Sequence, residues 1–380
     1  MTDTKPTRQK RRWGKYRWLI LLIIAGNVFA ARAFSPIMPH VQVPAENLAG
    51  PFSLPILGQL YLTNTLTSLL LADLILILIA LSVRLATRKG ELVLGGFPGA
   101  IEALVEGIYN LVESTAGKWA RQIFPWMATI VLLVLVINWM ELIPGVDSIG
   151  SFHEPHAGLP AYKKQTLFSV GEFDVSTVIE ELEFEGAHSG ATDVSAEQEH
   201  PGDPPAQEGE LMESASLVGF TPWIRVASTD LNFTVALALV SVVATQIIGL
   251  RALGPGYFSK FFAFRNFGRM WMSENLGPFD VLMPFLDIFV GLLELVAEIA
   301  KIISFSFRLF GNIFAGSVLL FVIGSLIPVL VQSGFLLLEV MVGLIQALVF
   351  GMLTMVFMIM ATQSHDDHDD HGEEHAEAHA

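Results

Sequence analysis

Residues 292–316 read LLELVAEIAKIISFSFRLFGNIFAG. The stretch is apolar enough for a membrane helix, yet Arg308 stands inside it. A guanidinium at the bilayer centre costs roughly 2.5–3.5 kcal/mol even on the scale derived from insertion, and it cannot shed its proton. The polar residues are Glu294, Glu298, Lys301, Ser304, Arg308 and Asn312, separated by steps of 4, 3, 3, 4 and 4 residues, a mean of 3.6. That is the α-helical period, so all of them lie on one stripe. A polar stripe in a membrane helix faces a protein partner or water, not lipid. Glu294, Glu298 and Lys301 can satisfy one another as an ion-pair network. Arg308 has no acid within helical reach, so its counter-charge has to come from another helix or another protein.

Composition agrees with a membrane setting. The chain has 380 residues, of which 52% are hydrophobic and 16% charged, and its mean hydropathy is +0.55. That is too apolar for a soluble domain of this size, and several runs reach the ~20 residues a membrane helix needs. There is no cysteine, which excludes disulfides, thiolate metal sites and cysteine nucleophiles. The net charge of -15 is concentrated in one loop and the C-terminal tail. No basic, aromatic-interleaved patch argues for nucleic acid as a partner.

Working outward from the opening stretch, the surrounding helix is expected over about 280–323. At 1.5 Å per residue it would extend about 65 Å against a hydrocarbon core of ~30 Å, so it must break or lie steeply tilted. A further helix follows at about 335–361, and others precede it at about 231–250, 124–142 and 63–83. Residues 96–120 carry apolar groups at helical spacing with interrupting glutamates, the pattern of an interfacial or partly buried amphipathic helix. At the N-terminus, Lys5, Arg8, Lys10, Arg11, Arg12, Lys15 and Arg17 precede an apolar run from Trp18 to about Ala31. With ARAFS after it, this resembles a signal peptide as much as an uncleaved signal anchor.

The fold class expected is therefore an all-α polytopic membrane protein. It has about six membrane helices, counting the signal-anchor-like segment, and one amphipathic interfacial helix. The connections rich in Lys and Arg are the N-terminus, 84–121 and 251–269; those poor in them are 35–60, 144–222 and 324–334. They alternate at every crossing, which puts both termini on the cytoplasmic side. The chain divides into a basic N-terminus and apolar segment (1–34), two membrane helices with the amphipathic helix (35–143), an acidic extracytoplasmic loop (144–222), three membrane helices (223–362) and a His/Asp-rich tail (363–380).

The loop 144–222 holds fifteen acidic residues and two lysines, and EHPGDPPAQEGE within it reads as disordered. It is either a solvated insertion or a vestibule that collects cations. The tail HDDHDDHGEEHAEAHA offers imidazole and carboxylate ligands, but without fixed geometry a solubilising role is the simpler reading.

Other polar residues fall at two depths. Running inward, the last helix puts Glu339 near the outer side and Gln346, seven residues on, near mid-membrane on the same face. Asn138 and Glu141 close one helix at the outer side, Asp230 and Asn232 open the next there, and Asp73 lies near the middle of its own. Glu294 and Glu298 are inner, Arg308 central. Two polar entries separated by a permanent cation suit a proton path that must not run straight through, because the cation repels hydronium and pairs with a mobile carboxylate.

At these residues the chain resembles subunit a of the F-type ATP synthases. The motif SFSFRLFGNIFAG looks like that family's hallmark, whose arginine faces a ring of c subunits, each with one buried carboxylate. LELVAEIAKIISFSFRLFGN puts Glu294 and Lys301 where the family has an acid and a lysine. INWMELIP supplies Asn138 and Glu141, STDLNFTVALAL supplies Asp230 and Asn232, and GLIQALVFGMLT supplies Gln346. The resemblance covers roughly residues 58–362, interrupted by the acidic loop. Five residues after the motif's Asn the family often has Glu or His, where this chain has Ser317; seven residues before the Gln, Glu339 holds the place of a His or Glu. The resemblance implies long tilted helices packing on a rotor ring, a c-subunit ring and b-type peripheral stalk subunits as partners within the ATP synthase complex, and a bacterial inner membrane. It implies a non-catalytic subunit without cofactors, whose proton path uses Arg308, Glu339, Glu294, Asn312, Gln346, Glu298, Lys301, Asn138, Glu141, Asp230 and Asn232.

An independent secondary transporter using the arginine to bind an anion is the alternative from another class. Such proteins show internal repeats, and no second copy of the stripe is present. Accessory metal handling, suggested by the tail alone, leaves Arg308 without a role. No HExxH, GxSxG or Gly-rich phosphate loop occurs, so hydrolysis and nucleotide chemistry would belong to partners. The ion is read as a proton, since nothing in this chain asks for sodium.

Overall fold

The computed structural model describes residues 44–55, 58–88, 95–143, 146–154, 160–170, 173–183, 217–261, 278–326 and 330–363, with isolated positions before 44. Two compact units are distinguished: a larger one of 42–149, 222–315 and 340–380, and a smaller one of 1–41, 150–221 and 316–339.

The larger unit opens with an antiparallel hairpin, β1 (Asn47–Leu54) and β2 (Gly58–Thr63), and β2 runs directly into helix α1 (Asn64–Thr87). Thr63 caps that helix: its hydroxyl accepts from the Leu66 amide at 3.2 Å, satisfying one of the donors a helix start leaves free. In α1 the buried residues are Asn64, Thr65, Ser68 and Ala72, whereas Leu70, Leu74, Ile77, Leu78 and Leu81 are exposed. A helix that buries its small polar residues and exposes its leucines is built for lipid.

Next come α2 (Gly96–Ala116), a 3-10 turn at Gly117–Trp119, and α3 (Ala120–Met140). Ile108, Val112 and Ala116 of α2 recur every four residues and are buried, as an amphipathic helix packed on α1 and α3 requires. After the smaller unit's strands, α4 (Leu231–Leu253) starts on an Asp230 cap whose carboxylate accepts from the Asn232 amide at 2.9 Å. The last helices are α5 (Pro278–Leu326, 49 residues) and α6 (Leu330–Ala361, 32 residues).

One apolar core runs through this unit, with Met127, Val134, Leu309, Ile313 and Phe350 fully enclosed. Phe305 of α5 lies between two rings of α6, with centroids 5.0 Å from Phe350 and 5.6 Å from Phe357. Gly351 of α6 rests on Val131 of α3 with no room for a Cβ. Lipid tails are as apolar as Leu, so these contacts act through close packing and not through exclusion of water.

In the smaller unit, β3 (Gly150–His153), β6 (Leu217–Pro222), β4 (Pro160–Val170) and β5 (Phe173–Glu183) form a sheet in that spatial order. The β4–β5 pair is antiparallel and sets Lys163 opposite Glu180. Phe152 packs at a tilt against Phe220, with ring centroids 5.7 Å apart, and the Lys164 ammonium lies 5.6 Å from the Phe152 ring centroid.

The chain is mostly helical, as the sequence led us to expect, but the loop 144–222 departs from an all-α reading because it contains these strands. EHPGDPPAQEGE and the His-rich tail lie outside the described residues, and so does the question of anchor or signal peptide. Among the described residues, four helical stretches are long and apolar enough to cross a membrane: Asn64–Thr87, Gly96–Met140, Leu231–Tyr257 and Val331–Ala361. They account for four of the six expected spans. α5 is not among them, and it is a single continuous helix over its 49 residues. The break expected as one alternative is therefore not seen. The amphipathic segment joins α3 in one stretch, Gly96–Met140, instead of standing apart from it.

Candidate functional site

The stripe on α5 divides into a satisfied part and an open part. Toward its start, the Lys301 ammonium donates to Glu298 Oε1 at 2.8 Å and sits 4.8 Å from the Phe357 ring centroid. Glu298 is buried, and a buried carboxylate requires such a partner. The ion-pair network expected for these residues is thus present between two of them.

One turn and more further on, Arg308 is half-buried, and its Nη2 donates to the Ser304 hydroxyl at 3.5 Å. Its Nη1 is buried without a hydrogen-bond partner, and among the described residues no carboxylate lies within ion-pair distance. Around it Ser304, Phe307, Gly311, Asn312 and Ala315 are exposed, so the cation sits in an uncovered strip of α5. Asn312 Nδ2 donates to Gln346 Oε1 of α6 at 2.6 Å, and Gln346 is buried. Two uncharged amides therefore flank the arginine and lock α5 to α6 at that level.

A second polar group of the larger unit gathers where α3 ends and α1 and α4 begin. Asn138 is enclosed; its Oδ1 accepts from the Ser228 hydroxyl at 2.7 Å and its Nδ2 donates to the Gly343 carbonyl at 3.4 Å. Trp139 adds an indole N–H to the Val340 carbonyl at 3.2 Å. The Asp230 carboxylate, besides capping α4, accepts from the Thr65 hydroxyl at 2.9 Å. Asn232 and Asp73 have exposed side chains, and Glu141 is half-buried.

Sequence reasoning missed the charged part of this group. Arg225 donates to the Pro44 carbonyl at 3.1 Å and lies within the field of Glu46, Asp230 and Asp147. Burial lowers its pKa, and those acids oppose the shift. Burial pushes the Asp147 carboxyl up to about 6, only partly countered by Arg225. A lone Arg just before a helix start, in a connection whose other cations are the adjacent pair Lys163 and Lys164, was the one available signal.

In the smaller unit, Glu339 is buried, and its carboxylate lies directly over Gly316, where any Cβ would collide with both oxygens. Ser317 is buried beside Gly316. Among the described residues no group of three or more His, Asp or Glu is placed to hold a metal ion.

These helices and buried polar groups define a multi-pass membrane protein. The family model described as ATP synthase A chain matches residues 66–359, and the chain belongs to that family. It is similar to ATP synthase subunit a 3 of Pelobacter propionicus, with 26% identity over 284 residues, 75% of this chain and 82% of that protein. It is 24% identical to ATP synthase subunit a of Moorella thermoacetica over 292 residues, 77% of this chain and 88% of that one. Over a shorter stretch of 153 residues it is 32% identical to ATP synthase subunit a 1 of Hahella chejuensis, 39% of this chain and 54% of that protein.

Proposed function

We propose that this chain is the proton-translocating subunit a of an ATP synthase in a bacterial inner membrane, with both termini cytoplasmic. It is non-catalytic by itself and works against a ring of c subunits, held in the complex with b-type peripheral stalk subunits. Protons enter from outside past the level of Asn138, Glu141, Asp230 and Asn232 and through Glu339, and protonate a ring carboxylate. The neutral site turns through lipid and releases its proton toward Glu294, Glu298 and Lys301. Arg308 holds the deprotonated carboxylate between the two half-channels and blocks direct leakage. Asn312 and Gln346 shape that contact without adding charge.

The observation that carries this reading is the strip around Arg308. A buried guanidinium nitrogen without a partner, on an uncovered face of Ser304, Phe307, Gly311, Asn312 and Ala315, calls for an acid from outside the described residues. The transporter alternative draws no support from the family match.

Arg308→Ala in inverted membrane vesicles tests it. ATP-driven acidification is expected to be lost while the assembled complex persists; normal coupled pumping would mean that the stripe is packing only. Glu339→Gln, read beside it for pumping and passive leak, separates loss of an entry group from loss of the barrier.

A further inference from the structure

The β1–β2 hairpin has two unlike faces. Residues opposite one another in an antiparallel pair share a face, and the register pairs Ala49 with Leu62 and Phe52 with Leu60 on one side, Asn47 with Thr63 and Ser53 with Gln59 on the other. One face is thus entirely apolar and the other mostly polar. Phe52 is 54% exposed and Leu60 44%, and residues 47–63 contain no charged side chain. A lone two-stranded hairpin is at best marginal in water and needs its apolar face covered.

Its position indicates the cover. β2 passes into α1 between Thr63 and Asn64 without an intervening residue, and α1 presents exposed leucines and isoleucines from Leu70 onward. The hairpin therefore runs directly in chain into a lipid-facing helix. Exposed apolar side chains recur beside it: the Trp223 amide donates to the Ile149 carbonyl at 2.9 Å, and the Asn64 carbonyl accepts from the Arg225 amide at 3.5 Å, which ties this connection to the first residue of α1. Trp223 is 51% and Ile149 58% exposed. Aromatic and aliphatic groups at the ends of membrane helices, with Arg225 among them as the snorkelling cation such sites tolerate, form the belt found at headgroup level.

We propose that the hairpin of residues 47–63 lies in the bilayer interface, with Phe52, Leu60 and Leu62 inserted at the boundary of headgroups and acyl chains and Ser53 and Gln59 turned to water. It acts as a collar that fixes the depth of the first turn of α1. The proposal rests on the membrane setting and not on the proton path.

The native chain has no cysteine, so single-thiol variants report cleanly. Phe52→Cys and Leu60→Cys on one face, Ser53→Cys and Gln59→Cys on the other, are each labelled with an environment-sensitive fluorophore in the assembled, otherwise thiol-free complex. The complex is reconstituted in phosphatidylcholine vesicles. Quenching by a nitroxide lipid is expected to be severalfold stronger at positions 52 and 60 than at 53 and 59, with the reverse order for aqueous iodide. Equal access of iodide to all four positions overturns the proposal. So does protection of 52 and 60 from both quenchers, which would show another protein segment or subunit on that face. Two reporters per face keep the test valid if one variant fails to assemble.

Discussion

Gly316 has a specific duty that only packing reveals. The carboxylate of Glu339 occupies the space a Cβ would take, so even the smallest substitution has to push a buried acid aside. The carboxylate is the far end of a flexible side chain and its Oε1 has no hydrogen-bond partner, so it moves at little cost in stability but away from its native place. Gly316→Ala is expected to lower ATP-driven acidification severalfold while leaving the assembled complex intact. Gly334→Ala, where a Cβ meets nothing within 4 Å, should leave it near the native rate. Equal behaviour of the two variants would remove Glu339 from the path proposed above. Arg308 was legible from the sequence because a charge in an apolar run announces itself. Gly316 was not, since one glycine among several says nothing until the helix opposite it is in place.

At the scale of elements, buried side-chain hydrogen bonds clamp α3 onto α6. Asn138 holds both the Ser228 hydroxyl and the Gly343 carbonyl. Asn138→Ala strands both partners and is expected to destabilise the detergent-solubilised protein by ~1–3 kcal/mol, seen as a lower melting temperature. An unchanged melting temperature would show that water replaces the amide. Ser228 was hidden because it lies in a connection, while the helices themselves were readable. Their starts are marked by Thr63 and Asp230, both of which cap as the residue types suggest. The strands of 150–222 were overlooked because charge dominated the reading. A local signal was present: β4 and β5 are joined by only two residues, Gly171 and Glu172, and TVI in β5 is β-branched, the mark of a hairpin.

For the whole molecule, the group around Arg225 sets a pH dependence. Burial raises the Asp147 pKa to about 6 from an ordinary value near 3.8. The folded protein therefore binds this proton more tightly than the unfolded chain does. The resulting stabilisation is fully present below about pH 4 and is lost as pH rises through about 6. The melting temperature measured from pH 7 down to pH 4 should rise relative to an Asp147→Asn variant in which the proton is no longer exchanged; parallel curves would contradict it. Membrane span, charge alternation and the polar stripe could be read from a linear chain because each is periodic or compositional. Arg225, Glu46 and Asp147 meet only through folding, since 179 positions separate Glu46 from Arg225 and 78 separate Asp147 from Arg225.

The unbroken course of α5 carries a last implication for how such a device can move. Glu294 and Asn312 are marks on one ruler, fixed about 27 Å apart by the helical rise, and that interval cannot shorten or stretch without unwinding a turn. Switching access from one end of the stripe to the other therefore falls to rotating side chains, to a roll of the entire rod, or to the partner passing in front of it.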